Sequence, residues 1–210
     1  MSKGERTREA ILTAAIERFG REGYRATAVA DIARDAGVGG TVAYAYFPSK
    51  EALFLAAVDE DAAAVIHEGL STLADDATID DWRQTLLVTM VGAVARHPLA
   101  RRLLAGLEPD VTDRVLELPA LNELRKVCAE RLAAEQLAGK VRADIDPARM
   151  ANGMVAIILS LLMSVVQLGE TTVGTYAPDV VAVFEAALAP VGPPNVSSAG
   201  ASIGGMASGS

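Results

Sequence analysis

The chain has 210 residues, 51% of them apolar and only 4% aromatic. That is enough to bury a substantial core, and it favours helices, because strands prefer aromatic and β-branched side chains. One cysteine excludes an internal disulfide, and the net charge of −8 at pH 7 argues at first against nucleic acid.

The distribution of charge removes that second objection. Residues 1–50 hold eight Lys or Arg against six Asp or Glu, so a positive head precedes an acidic body. Such a head can neutralise phosphates locally while the body is kept off the DNA. The opening MSKGERTREA is charged and has no apolar run. It does not read as a signal peptide, and a cytoplasmic location is expected. Cys128 reads as a small buried residue on a helix, with a redox thiol as the minor alternative.

The pattern predicts an all-α chain in three regions. Residues 1–47 form short helices, 48–190 form longer ones, and 191–210 form a tail rich in Gly, Ser and Pro. That tail has no charge and is expected to be disordered. The first helix runs from Arg6 to Arg21, with Ile11, Leu12, Ala15, Ile16 and Phe19 at helical spacing and Gly23 as its stop. Arg6 and Arg8 read either as an arm toward DNA or as a solvated terminus. Thr27 is the expected N-cap of a short helix through Asp35, with Val29, Ile32, Ala33 and Ala36 inward. Gly37 allows a tight turn, and a second short helix spans residues 39–45. Ser49 then caps a long helix that reaches Ala74.

Two short helices joined by a glycine-containing turn and buttressed by a third are a helix-turn-helix arrangement. Thr41, Tyr44 and Tyr46 supply hydroxyls around the second helix, and Lys50 follows at the next helix start. Hydroxyls beside a positive helix end suit a phosphate backbone.

The run from Glu17 to Val58 closely resembles the DNA-binding domain of the TetR family of repressors. The matching residues are Phe19, Gly23-Tyr24, Thr27, Ile32-Ala33, Ala36-Gly37-Val38, Tyr44, Tyr46-Phe47, Ser49-Lys50 and Leu53. Their order and spacing are kept without a gap. The resemblance implies phosphate contacts from Thr27, Tyr44 and Lys50, and a major-groove position for Thr41 and Val42. A valine or threonine methyl can meet a thymine methyl, and a threonine hydroxyl can meet several base edges. Gly39 and Gly40 would let backbone N–H groups approach a phosphate. Each role has a plainer reading beside it: core packing for the tyrosines, a helix cap for Thr27 and a solvated charge for Lys50. The chain departs from the family at Gly39, Thr41, Val42 and Ala43. The two glycines weaken the second helix by about 1 kcal/mol each against alanine.

Beyond residue 75 the reading continues with a helix from Asp80 to His97 and a restart at Pro98 through residue 107. One or two helices follow between Asp110 and Gly139, broken or kinked at Pro119. Asp146-Pro147 starts the next helix, with Asp as N-cap and Pro at the first helical position. Its run from Met150 to Gly169 carries no charge after Arg149. A membrane span is the lesser reading. Burial on all sides, partly against a second copy of the chain, is the expected one. Residues 178–189 add another apolar helix, and the two together predict a four-helix homodimer interface. The resemblance implies a small-molecule effector in this body. Trp82, Met90, Leu103, Leu104, Met154 and Met163 are candidate pocket residues, with ordinary packing as the alternative for each.

No nucleophile elbow, Gly-rich nucleotide loop or metal-ligand cluster is visible. His67 and His97 read as isolated, so no catalytic residue, metal or cofactor is expected. The sequence therefore predicts a dimeric, ligand-responsive repressor of palindromic double-stranded DNA, released by an apolar effector. The alternative is a DNA-binding activator, or a regulator controlled by a protein partner.

Overall fold

The computed structural model describes residues 2–75, 82–109, 118–169, 171 and 174–190. All regular structure among the described residues is helical. Three helices form the head: α1 (Lys3–Glu22), α2 (Val29–Asp35) and α3 (Gly40–Tyr46). The body holds α4 (Lys50–Asp75), α5 (Trp82–Val94), α6 (Pro98–Leu104), α7 (Pro119–Leu137), α8 (Pro147–Leu168) and α9 (Ala177–Leu188). Helix α4 is the spine. It packs on α1, α5, α6 and α7, while α7 and α8 lie against each other.

Several helix ends differ from the sequence reading for local reasons. α1 starts at Lys3 rather than Arg6, because Ser2 and Glu5 form a reciprocal capping box. Arg6 and Arg8 are therefore helical and form no arm. α2 is capped by Ala28, not Thr27, and no side chain bonds to its free N–H groups. Ser49 does cap α4: its Oγ accepts the Ala52 N–H at 3.0 Å. Asp146 caps α8 through the N–H groups of Ala148 and Arg149. Pro119 is the start of α7 and kinks nothing within it. Residues 80–81, 110–117 and 191–210, on which parts of the sequence reading fall, lie outside the described residues.

One continuous apolar core runs from Ile11 in α1 to Leu188 in α9. At the junction of head and body, the Phe19 ring meets Phe54 edge-on at 5.0 Å, and Tyr24 lies 4.9 Å from Phe54. α6 abuts α1 there. A Cβ on Gly20 would sit 2.7 Å from the Pro98 Cβ, so only glycine allows the approach. Glu108 completes the joint by accepting the Tyr24 N–H at 3.0 Å and the Arg102 Nε–H at 2.6 Å.

His97 is not the isolated residue the sequence suggested. Its ring bridges Asp61 (2.8 Å) and Glu68 (3.0 Å), both on α4. Asp61 is buried and also accepts the N–H groups of Leu99 and Ala100 at 2.9 and 2.8 Å, which caps α6 across the fold. Spacing along the chain hid this cluster, because 29 and 36 residues separate the partners. Cys128 is fully buried in α7, and burial pushes its thiol up to about 11. An inert packing residue fits that environment.

The expectation that α8 is apolar on all sides needs refinement. Ala151, Met154, Val155, Ile158 and Leu162 are buried along one face, while Gly153, Ala156, Ile157 and Ser160 are exposed. α8 is long and apolar enough to cross a membrane, yet it packs that first face on α5, α6 and α7. Its Gln167 amide donates to the Leu104 carbonyl at 2.9 Å.

Candidate nucleic-acid interface

The interface is built from the turn upward. α2 ends at Asp35, and Gly37, two residues on, has φ +68°, a backbone conformation open to glycine. The Val38 N–H returns to the Ala33 carbonyl at 2.9 Å, which fixes the exit of the chain from α2. Gly39 is extended and serves as the N-cap of α3, its carbonyl accepting the Val42 N–H at 2.9 Å. Ala43 is the buried residue of α3 and seats the helix against α1 and α2. Much of the remaining circumference faces outward. Thr41 and Ala45 are exposed, Val42 is 41% exposed and Tyr44 is 51% exposed.

Tyr44 and Tyr46, two residues apart, point in different directions as helix geometry requires. Tyr46 is half-buried and packs on the core, and its hydroxyl comes near Gly4 of α1. A Cβ added at Gly39 or Gly40 would have no described atom within 4 Å beyond its chain neighbours and the backbone of its own helix. Packing within the chain therefore does not require glycine at either place.

Two residues expected at a phosphate have partners within the protomer. Thr27 is 2% exposed, and its hydroxyl donates to the Gly23 carbonyl at 2.8 Å. Its side chain closes the α1–α2 turn. Lys50 is half-buried, with Nζ 4.5 Å from the Tyr24 ring centroid and 3.4 Å from the Arg25 carbonyl. It lies over the segment leading into α2.

The head's cations divide into two groups. Arg18 is bound by Asp35 at 2.7 Å and Glu22 at 3.1 Å, with Asp31 at 3.9 Å, and ties α1 to α2. The hydrogen bond to Asp35 raises the Arg18 pKa and lowers that of Asp35. Arg34 pairs with Asp31 and Arg21 with Glu22. The second group lies elsewhere: Lys3 and Arg8 are exposed on α1, and Arg25 is exposed before α2. The Arg8 guanidinium stacks 5.3 Å from the Phe47 ring centroid, just past the end of α3. The sequence reading gave Arg25 no role and placed Arg8 only on an arm or a solvated end. The Ser2-x-x-Glu5 box was the legible signal that Arg8 belongs to an ordered helix.

The candidate effector residues of the body separate. Met90, Leu103 and Leu104 border an entirely apolar cavity of about 50 Å³ between α4 and α8. Met154 borders a larger cavity of about 410 Å³ among α5, α7, α8 and α9. Trp82 is buried and borders neither, donating its indole N–H to Glu135 at 2.9 Å. Met163 packs against the core.

With this geometry in place, known proteins give it a context. Residues 11–57 match the family described as bacterial regulatory proteins, tetR family. The chain is 26% identical over 185 residues to YdgC, an HTH-type transcriptional regulator of Bacillus subtilis (strain 168), covering 86% of this chain and 91% of that one. Among solved structures, a tetR-family regulator from Mesorhizobium loti MAFF303099 superposes with a TM-score of 0.68 at 21% identity, over 90% of this chain and 100% of that one. A TetR regulator from Chloroflexus aurantiacus J-10-fl gives 0.60 at 26% identity, over 85% and 97%.

Proposed function

We propose that this chain, whose residues 11–57 match the tetR family of bacterial regulatory proteins, is a cytoplasmic, dimeric DNA-binding repressor released by a small apolar effector. The observation that carries the reading is the outward face of α3, where Thr41, Val42 and Tyr44 stand exposed around the buried anchor Ala43. Thr41 and Val42 meet base edges in the major groove, and Tyr44 donates to a phosphate. Gly39 and Gly40, which nothing described in the protomer crowds, admit the DNA backbone close to the chain. Thr27 closes the α1–α2 turn and Lys50 holds α4 to the segment that leads into α2, so both act on binding indirectly, while Arg8 adds positive charge next to the end of α3 and Arg25 adds it before α2. Residues 1–47 read DNA, and residues 48–190 sense the effector and dimerise.

Dimerisation is supported by apolar surface that the protomer leaves uncovered. Ile157 on α8 is 38% exposed, and Leu168 on α8 and Val183 on α9 are each 65% exposed. The small residues Gly153, Ala156 and Ser160 lie on the same open side of α8 as Ile157 and permit close helix packing. Two recognition helices one DNA turn apart, about 34 Å, then read a palindrome. Ile157→Arg combined with Val183→Arg is expected to give a folded monomer by sedimentation, with palindrome affinity reduced at least about a hundredfold because one half-site no longer tethers the other. A variant that stayed dimeric would place the interface elsewhere.

Repression itself is tested by placing the bound duplex over a reporter promoter. Expression should fall when the protein is present and recover when α3 is disabled. Activation instead would reverse the sign assigned here.

A further inference from the structure

We propose that the cavity beneath α9 takes an apolar molecule whose head is a hydrogen-bond acceptor, a carbonyl or carboxylate oxygen, seated at Arg83. This names the effector class and rests on the effector-responsive reading above.

The cavities that the candidate effector residues border differ in what they can hold. The apolar one, at about 50 Å³, has room for little more than a water or two. The one beneath α9, at about 410 Å³, falls within the range of small-molecule pockets, roughly 300–1,000 Å³. Its wall is mostly hydrocarbon, with Leu87, Met154 and Ile158 opposite Val180, Phe184 and Leu188 of α9. That lining selects an apolar body.

Arg83 selects the head. It lines the cavity, and Glu135 pairs with its Nη2. The other oxygen of Glu135 is engaged by the Trp82 indole N–H. The Arg83 Nε–H is buried with no acceptor among the described residues. A buried donor left without a partner is unfavourable, and native structures contain few of them. An oxygen of a ligand seated against Arg83 would give this guanidinium the further acceptor, once the side chain turns its Nε–H toward the cavity. A cationic head would instead meet like charge at Arg83 and at Lys140, which also lines the cavity. The second carboxylate of the lining, Glu185, is exposed to solvent. Filling this cavity bears directly on α9, whose opposite side carries Val183 of the proposed dimer face.

The chain has one tryptophan, Trp82, and its tie to Glu135 makes its emission a reporter of this cavity. The full chain is titrated with decanoate, decan-2-one and decylamine, each below its aggregation concentration. Decanoate and decan-2-one should shift the emission and bind at least about tenfold more tightly than decylamine, the worth of one added hydrogen bond. Arg83→Gln should narrow the difference to within about threefold, and Val180→Phe, which fills the cavity from α9, should weaken all three. Equal or tighter binding of decylamine, no binding of any probe, or a head preference that survives Arg83→Gln would overturn the proposal. The headgroup series on the unaltered chain decides the matter even where a variant fails to fold. DNA binding by the ligand-free protein, measured alongside, separates this outcome from failure of the regulator reading itself.

Discussion

Val42→Glu is expected to reduce DNA affinity at least about a hundredfold while leaving the fold intact. Val42 is 41% exposed near the middle of α3, and exposed substitutions away from special backbone conformations usually change stability by within about 0.5 kcal/mol. For a chain of this size that is about 1–2 °C in Tm. The effect on DNA is of another order, because like charges brought together at an interface cost several kcal/mol, and a dimer pays twice. Val42→Ala removes only methyl contacts and should cost about tenfold or less while relaxing preference at one base position of each half-site. Anisotropy titrations at fixed salt, with thermal melts on the same samples, measure both quantities. Retained affinity in Val42→Glu would mean that DNA does not approach this face.

The second large effect concerns stability. Asp61→Ala is expected to destabilise the protein by about 3 kcal/mol, since it strands two buried N–H groups and one partner of a histidine bridge. Tm should then fall by roughly 6–12 °C. The consequence reaches the head, because α6, which Asp61 caps, lies against α1 at Gly20. The same cluster sets a pH dependence. Burial opposes the charge on His97, but hydrogen bonds to Glu68 and Asp61 outweigh it and raise its pKa above 6.5. The cationic form is therefore favoured in the fold. Its contribution is fully present below about pH 6.5 and is lost as pH rises through the raised value. Glu68, lowered by its bonds to His97 and Arg96, acts on the acid side. Its contribution is present above about 4.5 and is lost as pH falls through its lowered value. Stability should therefore decline on both sides of the interval between the two groups, and Asp61→Ala should flatten the alkaline decline. Denaturant midpoints between about pH 4 and 9 check this, and an unchanged alkaline limb in the variant would dissociate His97 from the effect.

What the sequence made legible follows the range of the interactions involved. Local signals held: Ser49 and Asp146 cap their helices, Gly37 turns the chain, and the apolar spacing of Ile11, Leu12, Ala15 and Phe19 marks the inner face of α1. Thr27 failed as a cap because its hydroxyl found the Gly23 carbonyl one turn back, a competition that threonine often enters. Long-range chemistry was invisible. Nothing in the spacing joins His97 to Asp61, or Glu135 to Trp82 and Arg83, since those contacts exist only after α4, α5 and α7 have packed. The site shows the same division. The family resemblance singled out Thr41, Val42 and Tyr44, which stand exposed on α3, whereas the docking of Lys50 over Tyr24 depended on where α4 enters.

If α3 reads DNA as one half of a symmetric pair, that symmetry must show in the sequences that the protein selects. Selection of bound duplexes from a random pool, at about 100–150 mM salt to suppress non-specific phosphate binding, tests it most directly. A palindrome with half-sites one helical turn apart, about 10 base pairs, should be enriched, and that enrichment should be lost in Val42→Glu. Enrichment of a single asymmetric site, or no enrichment from folded protein at any salt concentration, would contradict it.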